Sequence, residues 1–205
     1  IALGRGTPTP NPTPVAQEFG KLQPAFATEH FGNRKCNFSS SISFNFCCST
    51  TSGMDSASIA LVQNFWSSEV EKAGLGNVGV EVFVRLFTKQ PDLIDLFPFA
   101  SESKDVEKLR SSESMRFHAT NVVSALDGAV KSLNDVAAMT GKLKELGGRH
   151  TKYNIKVEYF ALAGEVILTT MSETFKDKFS PDVKAAWNTF FGLVQSALSD
   201  GYHGK

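Results

Sequence analysis

From Asp55 onward, apolar residues recur three and four positions apart, the spacing that places them on one face of a helix. Ile59, Val62, Phe65, Trp66 and Val70 make the first such face, and Asp55 or Ser56 in front of it can cap the helix by accepting from its free first amides. The pattern runs out near Lys72-Ala73-Gly74. A second helix carries Val80, Phe83, Val84, Leu86 and Phe87 and must stop before Pro91, whose ring crowds the preceding turn and which has no N–H to give. Pro91 can open a short turn, Asp92 to Leu96, that leads into Phe97-Pro98-Phe99. One long helix is then expected from about Val106 to Leu133, with Leu109, Met115, His118, Val122, Ala125 or Leu126, and Ala129 facing inward. On another of its faces, Asp127 and Lys131 stand at a favourable i, i+4 spacing.

Asn134 to Gly141 reads as a turn or weak helix, followed by an element from Leu143 to His150 that Gly147 and Gly148 weaken and allow to bend. Two helices finish the chain. One spans roughly Val157 to Phe175, with Phe160, Ala163, Ile167 and Met171 on one face. The other starts at Ser180-Pro181-Asp182, with Ser as cap and Pro at the first helical position, and buries Trp187, Phe190, Phe191, Val194 and Leu198. No strand pattern follows Met54, so the expected fold class is all-α.

Residues 1–53 differ in kind. They hold five of the eight prolines and a Ser/Phe/Cys stretch from Cys36 to Ser52, without helical or strand periodicity, and read as a disordered or weakly structured extension. With Ile at position 1 and Met at 54, a leader or targeting peptide, or sequence outside the true gene start, are the alternatives for this stretch. The domain proper is taken as 54–205.

Charge and cysteine usage narrow the classes. A formal net charge of zero lacks the basic footprint of a nucleic-acid binder. No apolar run approaches the roughly 18 residues of a membrane span. All three cysteines lie before residue 54, which leaves the helical region without disulfides or a thiol nucleophile and suits the reducing cytoplasm.

Two histidines carry the candidate chemistry. Leu143, Leu146 and His150 stand at i, i+3, i+7, so the imidazole points where the leucines point, and His118 does the same within its own apolar stripe. Core histidines satisfied by hydrogen bonds are the plain explanation for either one alone. Structural zinc needs four protein ligands and catalytic zinc three, whereas haem iron brings four nitrogens of its own and needs only axial donors. Two opposed imidazoles therefore favour a flat metal cofactor between the helices.

Several separated motifs in order carry a family resemblance: Trp66; Arg85-Leu86-Phe87; Pro91 through Phe97, with Phe six residues after Pro; His118 and Val122; Leu146-Gly147-Gly148-Arg149-His150; Phe160 to Glu165; Phe179-Ser180-Pro181 through Trp187 to Gly201-Tyr202. Over 54–205 the chain resembles the globins, and among them the neuroglobin-like animal branch. The resemblance implies seven to eight helices around a haem b pocket. It makes His150 the proximal iron ligand, its other N–H held by a backbone carbonyl near Leu146, and His118 the distal histidine, which either hydrogen-bonds a diatomic ligand or ligates iron. It sets Phe97 against the porphyrin, Phe83 and Val122 around the ligand space, and Ile155 and Ala163 on the opposite wall. There are two departures: a longer connection between Trp66 and the second helix, and the glycine pair before His150.

The implied function is reversible binding of dioxygen, and of CO or NO, for oxygen storage, transport or supply. A bis-histidyl redox protein or sensor is the rival, with activities such as nitric oxide dioxygenation, nitrite reduction or signalling. It would require a separate reductase, because nothing in the chain resembles a flavin or nicotinamide domain. A cofactor-free helical interaction module is the third possibility. Lys104, Lys108, Arg116, Arg149 and Lys152 are the candidate partners of haem propionates.

Overall fold

The computed structural model describes residues 54–153 and 155–205; the expectations for the N-terminal extension lie outside them. Among the described residues there is no strand. Asp55 caps α1 (Ser56–Phe65) by accepting from the Ser58 amide at 2.7 Å, as its position before the apolar face predicts. The helix continues through a π-helical turn, Trp66–Val70, and a last α turn, Glu71–Ala73. The wider π turn lies within the connection expected to be longer than in the family. Gly74 then takes φ 87°, a backbone conformation that a side chain would resist, and starts α2 (Leu75–Lys89).

α2 stops two residues before Pro91, and two 3-10 turns, Pro91–Leu96 and Pro98–Ser101, form the corner. The single long helix expected next is in fact two, α3 (Val106–Leu109) and α4 (Glu113–Lys131). The break has a local cause. Ser111 and Ser112 amides donate to the Lys108 and Leu109 carbonyls, closing α3, and the Ser112 side chain accepts from the Met115 amide at 3.2 Å, opening α4.

The expected turn or weak helix at Asn134–Gly141 is also corrected. Asp135 accepts from the Ala138 amide at 2.9 Å and starts α5 (Val136–His150), which runs unbroken through Gly147 and Gly148. α6 (Glu158–Phe175) and α7 (Pro181–Tyr202) follow, the latter capped by Ser180.

α7 is the spine, packed against α1, α5 and α6, while α2 packs on α4 and α6. Trp66 and Trp187, both fully buried with ring centroids 5.6 Å apart, join the π turn after α1 to α7. Trp66 also donates from Nε1 to Asp127 at 2.7 Å, tying the same turn to α4, and Lys131 bridges Asp127 and Glu71. At Gly79 a Cβ would lie 2.7 Å from the Ala119 carbonyl, so α2 crosses α4 in direct backbone contact one residue past His118. Core residues of α2, α4, α5, α6 and α7 surround a space between these helices.

Candidate functional site

That space is a cavity of about 240 Å³, against the roughly 10–15 Å³ that holds one water on the same measure. Its lining is mostly aliphatic and aromatic. All eight residues singled out in the sequence border it: Phe83, Phe97, His118, Val122, Leu146, His150, Ile155 and Ala163. Ala125 and Leu126, between which the periodicity left a choice, both do so.

His150 ends α5. Its Nδ1 lies 2.8 Å from the Leu146 carbonyl, one turn back on the same helix. A carbonyl can only accept, so Nδ1 carries the proton and Nε2 keeps a lone pair. Burial holds the imidazole pKa below its ordinary value, with the Leu146 hydrogen bond opposing part of that shift. The Phe160 ring stands edge-on to it at 5.2 Å, 88° between planes, and limits its rotation from the α6 side.

His118, on the cavity face of α4, lies among three phenylalanines. Ring centroids are 5.2 Å to Phe83, 5.1 Å to Phe97 and 6.1 Å to Phe99. Burial first, and then the charge that His150 can carry, push its pKa down to about 4. At neutral pH both rings are uncharged, the state in which imidazole nitrogen binds a metal. Phe97 stacks on Phe99 at 5.2 Å and meets Phe83 edge-on at 5.5 Å, so the proline corner delivers it to the cavity inside an aromatic cluster.

Among the described residues no group of three or more His, Cys, Asp or Glu side chains could hold a bare metal ion. Two neutral imidazoles bordering one apolar space match instead a cofactor that brings its own equatorial ligands. A further observation agrees. Asn121, at i+3 from His118, borders the same cavity, and its Nδ2 is a buried donor with no hydrogen-bond partner. The residues present fit haem.

A model of the globin family matches residues 80–198. The chain belongs to the globin family. It is similar to neuroglobins: 29% identical over 144 residues to that of Danio rerio, covering 69% of this chain and 88% of the relative. The neuroglobin of Dissostichus mawsoni is 28% identical over 144 residues, with the same coverage, and that of Tetraodon nigroviridis 28% over 124 residues, 60% of this chain and 78% of the relative. A haem globin that binds diatomic gases follows at family level. No described helix is long and apolar enough to cross a membrane.

The sequence reading missed the contributions of Asn121, and of Phe191, Gln195 and Leu198 from α7. Asn121 had a usable signal in its i+3 spacing from His118. The five cations offered as propionate partners do not border the cavity. Lys104 pairs with Asp95 at 2.6 Å, Lys108 with Asp105 at 3.8 Å and Arg149 with Glu145 at 3.6 Å, while Arg116 donates to Asn77 at 3.0 Å. Lys152 is exposed in the turn after His150.

Proposed function

We propose that this protein holds haem b through His150 and reversibly binds dioxygen, CO and NO beside His118, in oxygen storage, transport or supply. When bound, ferrous haem supplies the iron to which such gases attach. One observation carries the reading: the Leu146 carbonyl fixes the His150 tautomer, leaving Nε2 as a lone-pair donor at the wall of an apolar cavity. Phe97, Ile155 and Ala163 would pack against the macrocycle and keep water away. His118, neutral at pH 7, has an N–H to donate to a polar diatomic ligand, and Phe83 and Val122 would bound the space for it. Asn121 would donate from Nδ2 to a cofactor acceptor.

His118 also supports a second reading. It is neutral, borders the same cavity and senses the charge of His150, so it too can offer a lone pair to the iron. The protein would then be a bis-histidyl redox protein or sensor supplied with electrons by a separate reductase. Absorption spectra of the dithionite-reduced protein, before and after CO, separate the two. A broad band that sharpens only with CO supports oxygen storage or transport; sharp, split bands before CO support the second reading. A protein that takes up no haem sinks both.

A further inference from the structure

The glycine pair before His150 suggests a flexible hinge, but its surroundings say otherwise. A Cβ on Gly147 would lie 2.0 Å from the Leu198 carbonyl oxygen of α7, and one on Gly201 of α7 would lie 1.9 Å from the Lys144 carbonyl oxygen of α5. The contacts are reciprocal, each helix setting a glycine on the other's backbone. Both oxygens belong to main chain, so no side-chain rotation relieves an added methyl group. Carbon–oxygen contacts of this kind settle at roughly 3.3–3.6 Å, so either substitution forces the helices apart by more than about 1 Å. The seam also lies within one turn of the site. Leu146, whose carbonyl holds His150 at 2.8 Å, falls between Lys144 and Gly147, and Leu198 borders the cavity.

Resting on the reading of His150 as iron ligand, we propose that Gly147 and Gly201 are positioning residues, whose interlocked crossing fixes where the proximal histidine stands at the cavity wall. The strength of the iron–histidine bond is then set partly from α7, a helix that contributes no ligand. Other glycines of the same helices provide contrast. Around a Cβ on Gly141 of α5 or Gly192 of α7 there is nothing within 4 Å, and on Gly148 the Gly201 carbonyl oxygen would be 3.3 Å away, at the tight edge of that range, where the backbone gives by a few tenths of an ångström at most.

The test uses the full, haem-loaded chain with His118→Leu, so that the ferrous iron–histidine stretching band can be read by resonance Raman spectroscopy. Gly201→Ala should shift this band and speed haem loss roughly 10- to 100-fold, the range seen when groups that orient metal ligands are altered. Gly148→Ala should shift the band less, and Gly141→Ala and Gly192→Ala not at all. If Gly201→Ala does not fold, Gly148→Ala decides alone. An unmoved band in the folded seam variants, whatever their melting temperature, would overturn the proposal while leaving the His150 assignment intact. A parent protein with no iron–histidine band would instead remove that assignment, and the proposal with it.

Discussion

His150 and His118 border one cavity in different surroundings. His150 has its tautomer and direction set by a specific hydrogen bond from Nδ1 to the Leu146 carbonyl, on a helix keyed into α7. His118 has its surroundings set, by the Phe83, Phe97 and Phe99 rings that enclose it. A directed contact fixes where a lone pair points, whereas an apolar enclosure fixes which charge state is tolerated. The first arrangement suits a permanent bond to a cofactor; the second suits a group whose partner comes and goes.

The two histidines should therefore fail differently on removal. His150→Ala should cost more haem affinity than the 10- to 100-fold seen when groups supporting a metal ligand are lost, so more than about 100-fold. Transfer of haem to an excess of a haem-free acceptor globin measures this. A variant that retains haem as tightly as the parent would remove the proximal assignment.

The two sides also differ in how they answer to acid, in the haem-free chain. Both imidazole pKa values lie below the ordinary 6.5, so the unfolded chain takes up protons that the folded chain refuses. Stability is therefore full above pH 6.5 and falls as pH drops from there. For His118, with its pKa at about 4, the loss by pH 4 is about 3 kcal/mol. The Leu146 carbonyl opposes the shift at His150, so His118→Leu should flatten the pH dependence of chemical denaturation more than His150→Leu does. Equal flattening by both would mean that the aromatic enclosure of His118 does not set its charge.

With haem bound, His118→Leu should leave the cofactor in place and weaken dioxygen binding. One hydrogen bond to a polarised ligand is worth about 1.5–3 kcal/mol, or roughly 10- to 100-fold in affinity. Carbon monoxide, a less polar ligand, should lose much less, and the ratio of the two affinities is the measurement. An oxygen affinity that instead rises would mean that His118 competes for the iron, which supports the bis-histidyl reading.

How far this asymmetry was legible in the sequence depended on whether its cause was local. Pro91 dictates the corner that delivers Phe97, because proline's constraint acts on its own neighbours. The histidines were legible through helical spacing, and the Leu146 contact through the family resemblance alone. Ser112 lies beside Ser111 and near Ser114, and hydroxyl residues in a row do not reveal which one ends up capping, so the break between α3 and α4 was hidden. Gly147 was misjudged for another reason. Its role depends on the Leu198 carbonyl, brought to it from another helix by packing alone. The cavity's α7 wall was missed on the same ground, since Phe191 and Leu198 read equally well as core.

The smallest effect concerns Asn121, whose side-chain amide is on the His118 side of the cavity. Its unbonded buried Nδ2 costs the haem-free fold the desolvation of an amide, on the order of 1–3 kcal/mol. Asn121→Leu keeps the branched shape and removes that cost, so the haem-free protein should melt higher. The haem-loaded protein should gain less or nothing, because there the same substitution also deletes a hydrogen bond to the cofactor. The difference between the two shifts in melting temperature isolates that bond, at about 1 kcal/mol. Equal stabilisation of both forms would show that Asn121 gives nothing to haem. The enclosed side would then act through apolar surroundings and His118 alone, and the contrast with the His150 side would be complete.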